Sequence, residues 1–217
     1  MKKIIVVVCI FDRFENLRRW LHAWRTCEQM GAKLFFINNH YAGVDTVYWE
    51  ALCKKSGVGY QIRPNIGYET GIIQDIIVGR LLPEENWDVL FFATDDTIPM
   101  KKSFLKDYIN EVSKPDVGVA CMEISGAYTP HVRTTGWCIK KETASQIFFP
   151  FDPVSGKDHC YHFEHTGGEH TLMSQVLKMK KRVTQMSNIE NSAIWDTHHT
   201  PFNRWDEWHI EFPGYIK

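Results

Sequence analysis

The chain has 217 residues, enough for one substantial folded domain without disulfide staples or a second core. Hydrophobic residues make up 44% and charged residues 24%, an ordinary globular composition that excludes extended disorder. With 25 basic and 26 acidic residues the net charge is -1, so the electrostatic footprint of a nucleic-acid binder is missing. No run reaches the roughly 20 apolar residues of a membrane span.

The opening MKKIIVVVCIF has a short apolar run, no small-residue cleavage site, and passes straight into Asp12 and Arg13. It reads as a buried first strand rather than a leader. The six cysteines (Cys9, Cys27, Cys53, Cys121, Cys138, Cys160) form no CxxC pair and several fall on apolar faces. They suit a reducing, cytoplasmic compartment.

In chain order, residues 3–10 form the first strand. Asp12 and Glu15 have the spacing of a capping box, and Phe14, Leu17, Trp20, Leu21 and Trp24 recur at helical spacing up to Gly31. Lys33 to Ile37 is a second buried strand, stopping at Asn38, Asn39 and His40. A helix from Thr46 to Ser56 precedes a short strand, Tyr60 to Arg63, and the turn Pro64-Asn65-Ile66-Gly67. The spacing of Ile72, Ile73, Ile76 and Ile77 predicts a helix over Tyr68 to Leu82. Next comes VLFFATDDTIP, an apolar strand from Val89 to Ala93 that breaks into Thr94, Asp95, Asp96 and Thr97 before Pro99.

The order β-α-β-α-β-α-β predicts an α/β fold with a mostly parallel central sheet flanked by helices. Each strand of this half delivers polar residues at its carboxyl end: Asp12 and Arg13, then Asn38 and Asn39, then Asn65, then Asp95 and Asp96. Open α/β sheets bind ligands outside that edge, and four deliveries outline a nucleotide-sized crevice. Neither GxGxxG nor GxxxxGK[ST] is present, which argues against a dinucleotide dehydrogenase or a P-loop enzyme. Two adjacent carboxylates ending a buried strand are costly unless something positive neutralises them. A divalent cation carrying a phosphorylated ligand meets that need, while the competing reading is a turn whose aspartate caps the next helix.

The second half continues with a helix from Ser103 to Val112, a strand from Gly118 to Met122, and a strand-like piece over Arg133 to Ile139. A helix over Lys141 to Phe149 leads to a loop, 150–167, rich in Pro, Gly and His. Gly168-Glu169-His170 opens a helix with Leu172, Met173, Val176 and Leu177 inward, and Arg182 to Met186 reads as an edge strand. Periodicity fades from Asn188, but the tryptophans of the tail, WDTHHTPFNRW and beyond, favour a folded lid over a loose end. No repeat or linker is visible. The expected organisation is one domain: a donor half (1–100), an acceptor half (101–187) and a tail or lid (188–217).

Four stretches together resemble the nucleotide-sugar-dependent glycosyltransferases of the GT-A fold: VVVCIFDRFENLRRWL, Asn65-Ile66-Gly67, FFATDDTIP and Gly168-Glu169-His170. They correspond to the family's opening strand and helix, its Asn-x-Gly donor segment, its DxD metal motif and its late Glu-Asp element. The metal motif lacks its first Asp, and the late element has His where Asp is common. The resemblance implies that Asp96 binds Mn²⁺ (or Mg²⁺), with Asp95 meeting the ribose or the metal shell. A C-terminal histidine, His198 or His199, would complete the site as in some members, and a mixed oxygen and imidazole set favours Mn²⁺. For the histidine pair, the competing reading is a solvent-exposed tail.

Asp12, Asn38 and Asn65 are candidates for base and ribose recognition and Arg13 for a phosphate. Gly67 and the helix after it can offer amides to an anion. A helix cap for Asp12 and turn chemistry for Asn38, Asn39, Asn65 and Gly67 are the competing readings. For the proton-accepting base of an inverting transfer, Glu169 is the first candidate and Asp158 the second; first-turn placement alone also explains Glu169. Trp137 is a candidate sugar platform, with core packing as its alternative. His159, His162 and His165 suit a solvated loop better than a zinc site.

The expected function is metal-dependent transfer of a hexose or deoxyhexose from a nucleoside-diphosphate donor, UDP by preference, to a hydroxyl of a glycan or glycoprotein acceptor. The alternatives are a carbohydrate-binding module without catalysis and a nucleotidyltransferase. The module would bind glycan without nucleotide or metal. The nucleotidyltransferase would need a Gly- and Arg- or Lys-rich loop after the first strand, where CIFDRF stands.

Overall fold

The computed structural model describes residues 2–40, 43–126, 130–149, 168–186, 193–197 and 204–215, with side chains for all of these except 168–170 and 196. Its centre is a seven-stranded sheet built around two fully buried strands, β1 (Ile4–Ile10) and β4 (Val89–Thr94). Moving outward from β1, β2 (Lys33–His40) and β3 (Gly59–Pro64) pair in parallel. β1 also pairs in parallel with β4. On the far side of β4, β9 (Gly136–Lys140) runs antiparallel and is followed by β6 (Val117–Cys121) and the edge strand β10 (Arg182–Gln185). The mostly parallel sheet expected from the element order is therefore present, with β9 as the inverted strand.

Alternation along the strands feeds two separate cores. Val6, Val8, Phe91 and Ala93 face α1 (Glu15–Trp24), α2 (Val47–Lys55) and α4 (Phe104–Val112). Val7, Cys9, Leu90 and Phe92 face α3 (Tyr68–Ile77), α5 (Lys141–Ala144) and α6 (Gly168–Lys178). Helices on both faces explain why the central strands read as unbroken apolar runs. The five cysteines among the described residues are free and buried, and Cys160 lies outside them.

Several elements differ from their sequence-based bounds. β2 runs on to His40, so Asn38 and Asn39 end a strand rather than begin a turn. α3 stops at Ile77, where Gly79 and Leu82 take left-handed backbone conformations (φ 75° and 51°) that no helix continues through. The strand expected over Arg133–Ile139 begins only at Gly136, because Thr134 and Thr135 turn the chain into β9; the short strand β8 (His131–Val132), paired with β7 (Ile124–Ser125), precedes that turn. α5 is one turn long, and Leu177 of α6 faces solvent while Leu172 and Val176 are buried.

The tail is anchored. β11 (Ile194–Asp196) pairs antiparallel with β5 (Thr97–Pro99), the strand that follows the Asp95–Asp96 turn. α7 (Trp205–Glu211) buries Trp208, whose indole N–H donates to the Pro99 carbonyl at 2.9 Å. With Ala23, Ile98, Met100, Trp195 and Phe212 it forms a third apolar cluster behind that turn.

Candidate active site

The carboxyl edge of β1, β2, β3 and β4 carries two polar clusters. The first centres on Asp12, whose backbone is left-handed (φ 54°), a conformation Asp tolerates better than most residues. Its amide donates to Asn38 Oδ1 at 3.1 Å, and Asn38 Nδ2 donates back to Asp12 Oδ1 at 2.8 Å. Asn38 Nδ2 also donates to the Tyr60 hydroxyl at 3.1 Å, and His40 Nδ1 lies 3.2 Å from the same Asp12 oxygen. Asp12 therefore does not cap α1; Phe14 sits at the cap position, without a side-chain bond. This reciprocal pair ties the residues after β1 to β2, and the Tyr60 bond adds β3.

The second cluster joins Arg13 to Asp95 and Asp96. The guanidinium donates from Nη2 to Asp95 Oδ1 at 2.8 Å and reaches Asp96 Oδ1 from Nη1 at 3.2 Å. Asp95 is buried, and its Oδ2 accepts the Phe11 amide at 3.2 Å, whereas Asp96 is about a quarter exposed at 26%. Burial pushes the Asp95 carboxyl up to about 7; Arg13 works against that shift and Asp96 adds to it. Burial also opposes the charge on Arg13, yet the two carboxylates hold its pKa above the ordinary value.

The backbone of this turn is held separately. Asn16 Nδ2, on α1, donates to the Asp95 carbonyl at 2.7 Å and to the Thr197 hydroxyl at 2.9 Å. Thr197 gives its amide and hydroxyl to the Asp96 carbonyl at 2.6 and 2.7 Å. Trp20 Nε1 donates to the Thr97 carbonyl at 2.6 Å.

Between the clusters and α3 lies a cleft of about 330 Å³ lined by Phe11, Arg13, Tyr68 and Glu69. Gly67 and Tyr68 are both left-handed (φ 73° and 48°) and start α3 at its rim. Asn65 lies in the turn before them. Arg63 fastens that turn from below, donating to Asn39 Oδ1 (2.7 Å), the Ile66 carbonyl (3.0 Å) and Asp75 Oδ2 (2.8 Å). Asn39 Nδ2 in turn donates to the Tyr68 carbonyl at 3.1 Å. A Cβ at Gly71 would run into the Ile66 carbonyl oxygen, so the turn and the helix meet there backbone to backbone. A larger cleft of about 490 Å³, lined by Lys2, Asp88, Val89 and Lys140, lies where β4 begins, at the opposite edge of the sheet.

The structure thus gathers Asp12, Arg13, Asn38, Asp95 and Asp96 along one edge, with the Asn65–Gly67 turn beside them. Trp137 is not a sugar platform: it is buried, with its ring 5.6 Å from Phe92. Asp158, His159, His162, His165, His198 and His199 lie outside the described residues, and Glu169 is placed only as the second residue of α6. Sequence reasoning missed His40, Tyr60, Asn16, Arg63, Tyr68 and Glu69. Asn16 alone left a signal, as a polar residue on the apolar face of α1.

Among the described residues no group of three or more His, Cys, Asp or Glu is arranged to hold a metal ion. Asp95 and Asp96 nonetheless offer hard carboxylate oxygens, and one or two carboxylates suffice where substrate phosphates supply further ligands. The donor set fits a divalent cation that arrives with a diphosphate.

No known family pattern matches the chain, and no curated protein matches it in sequence. Solved structures do. A mannosyltransferase from Pyrobaculum calidifontis, in complex with GDP-mannose and Mn²⁺, superposes with a TM-score of 0.59 at 11% identity. The match covers 84% of this chain and 54% of that one, so the chain spans about half the mannosyltransferase's length. Glucosyl-3-phosphoglycerate synthase from Mycobacterium tuberculosis, with Mn²⁺, UDP and glucosyl-3-phosphoglycerate, gives 0.58 at 11% identity over 97% of this chain and 77% of that one. The same synthase with Mg²⁺ and UDP gives 0.55 at 10% identity, covering 84% and 68%. The α/β architecture expected from the residues is therefore that of GT-A glycosyltransferases; at these identities the likeness is one of fold.

Proposed function

We propose that the protein is a metal-dependent glycosyltransferase that moves a hexose or deoxyhexose from a nucleoside diphosphate, UDP by preference, to a hydroxyl of a glycan or glycoprotein acceptor. The observation that carries this reading is the Arg13–Asp95–Asp96 cluster at the carboxyl edge of a GT-A sheet. The fold's solved relatives include enzymes crystallised with GDP-mannose or UDP and with Mn²⁺ or Mg²⁺. Fold alone is a weak warrant for substrate, so the reading rests on the site.

In this reading Asp12 and Asn38 recognise base and ribose, with Asn65 and Gly67 lining the donor, and Asp95 meets the ribose or the metal shell. Arg13 meets the diphosphate. Asp96 would hold the cation, whose charge would neutralise the leaving diphosphate. His198 is the proposed second ligand; its chain neighbour Thr197 is bonded to the Asp96 carbonyl. Glu169, or Asp158 in its place, would take the proton of the attacking hydroxyl as the new glycosidic bond forms and the bond to the diphosphate breaks.

The proposed division is a donor half, 1–100, an acceptor half, 101–187, and a tail, 188–217, that excludes water from the bound donor. A narrower likeness of the same motifs, to the N-terminal glycosyltransferase domain of a multidomain protein of large algal (chlorella) viruses, would place the activity in a host cytoplasm. Among the described residues no helix is long and apolar enough to cross a membrane.

Isothermal titration with UDP and with GDP, each with and without Mn²⁺, tests the reading. Metal-dependent binding of one nucleotide is expected and would name the donor class. Absence of binding by the folded protein would overturn the donor site.

A further inference from the structure

Arg13 is the residue on which the two acidic side chains converge. Its planar fork bridges the two carboxylates, one nitrogen hydrogen-bonded to Asp95 and the other in ion-pair contact with Asp96, a span that the point charge of an ammonium does not match. The fork is half-exposed, lies 5.8 Å over the Phe11 ring and lines the cleft together with Tyr68 and Glu69. Its charge therefore occupies the position a cation on Asp96 would need. The frame underneath does not depend on it, because Asp95 keeps the Phe11 amide and the turn keeps its bonds to Asn16 and Thr197.

We infer that Arg13 is the resident counter-cation of the Asp95–Asp96 pair and gates metal entry, so that a divalent cation takes its place only when a nucleoside diphosphate draws the guanidinium away. This rests on the proposed function and adds an order to it: the nucleotide-free protein binds the metal poorly, and metal and donor enter together. The physical reason is competition for the same carboxylate oxygens between two cations that repel each other. The guanidinium can leave the carboxylates for phosphate oxygens and make charge-assisted hydrogen bonds there, while the divalent cation can ligate carboxylate and phosphate oxygens together. The diphosphate supplies both the acceptor atoms and the negative charge that make the exchange favourable.

The test is Mn²⁺ binding without nucleotide, followed by the electron paramagnetic resonance of free Mn²⁺, for the wild type, Arg13→Gln and Arg18→Gln. Arg13→Gln is expected to bind Mn²⁺ more tightly than the wild type by about 5- to 150-fold, the usual span of coupling between sites. Arg18, which donates to the Tyr48 hydroxyl and leaves the carboxylates alone, controls for the loss of a charge near α1, and its variant should match the wild type. If Arg13→Gln melts early, Arg13→Lys serves in its place; a point charge cannot bridge both carboxylates, so a smaller tightening is expected.

Nucleotide-dependent Mn²⁺ binding with equal nucleotide-free affinities in the wild type and the Arg13 variants overturns the gate and leaves the metal site standing. Equal tightening by Arg18→Gln overturns it too. Mn²⁺ binding by none of the proteins, even with UDP or GDP present, overturns the gate and the metal site together.

Discussion

The two polar clusters at the sheet edge are built in opposite ways. Around Asp12 the partners are Asn38, Tyr60 and His40, all on strands or at their ends, so the bonds are fixed by the register of β1, β2 and β3. Around Asp95 and Asp96 the partner is a half-exposed arginine on a loop, and the turn itself is steadied from behind by the tail. The first cluster is a mutually hydrogen-bonded arrangement around the buried Asn38, the part to which the proposed reading gives base and ribose recognition. The second is charged and half-exposed at Arg13, the part to which the proposed reading gives the cation and the diphosphate. Placing the charged cluster on a turn means its precision depends on the packing beneath it.

That dependence makes the tail the place where the contrast breaks most visibly. Trp208→Ala removes the centre of the third apolar cluster and the bond to Pro99, and should cost about 3–5 kcal/mol in denaturant unfolding. It should also weaken metal-dependent nucleotide binding, because β5 carries the Asp95–Asp96 turn. Asp96→Ala attacks the cluster directly: its side chain is a quarter exposed, so the melting temperature should hold. Transfer should fall by about 10²–10³-fold, the scale of losing one preorganised electrostatic contact; unchanged transfer would remove the metal role. Asn38→Ala acts on the first cluster. It strips Asp12 and Tyr60 of their shared partner at a cost of about 1–3 kcal/mol in stability. Here nucleotide affinity in the presence of Mn²⁺ should drop while nucleotide-free Mn²⁺ binding stays as in the wild type, separating recognition from metal chemistry.

The sheet was legible because its signals are local. β1 and β4 are apolar runs bounded by charge, and the polar residues at their ends announce the ligand edge. What joins those ends was not legible. Asn38 meets Tyr60 across 22 positions, Asn16 meets Thr197 across 181, and Arg63 braces Asn39 and Asp75 from another strand. Such bonds are set by strand register and by how helices and tail dock on the sheet, which single-chain periodicity does not encode. Local rules also misled where tertiary packing won. The Asp12–Glu15 spacing promised a cap, but the Asn38 bond draws Asp12 into a left-handed turn. The sequence leaves Trp137 open between a sugar platform and core packing, and its place in β9 points it into the core.

The smallest expected effect separates charge from geometry in the second cluster. Burial raises the Asp95 carboxyl to about 7 in the folded protein, against an ordinary aspartate value near 4 when unfolded. Between pH 8 and 6 the folded state therefore takes up a proton at Asp95 and the unfolded state does not. Stability from this group must rise as pH falls through 7 and be lost as pH rises, by about 1.4 kcal/mol over that interval. Asp95→Asn keeps the shape and removes the titration. Thermal unfolding of ligand-free protein should show the variant gaining on the wild type by that amount between pH 6 and pH 8. Parallel curves would mean that Arg13 keeps Asp95 ionised throughout this range, with charge pairing outweighing burial.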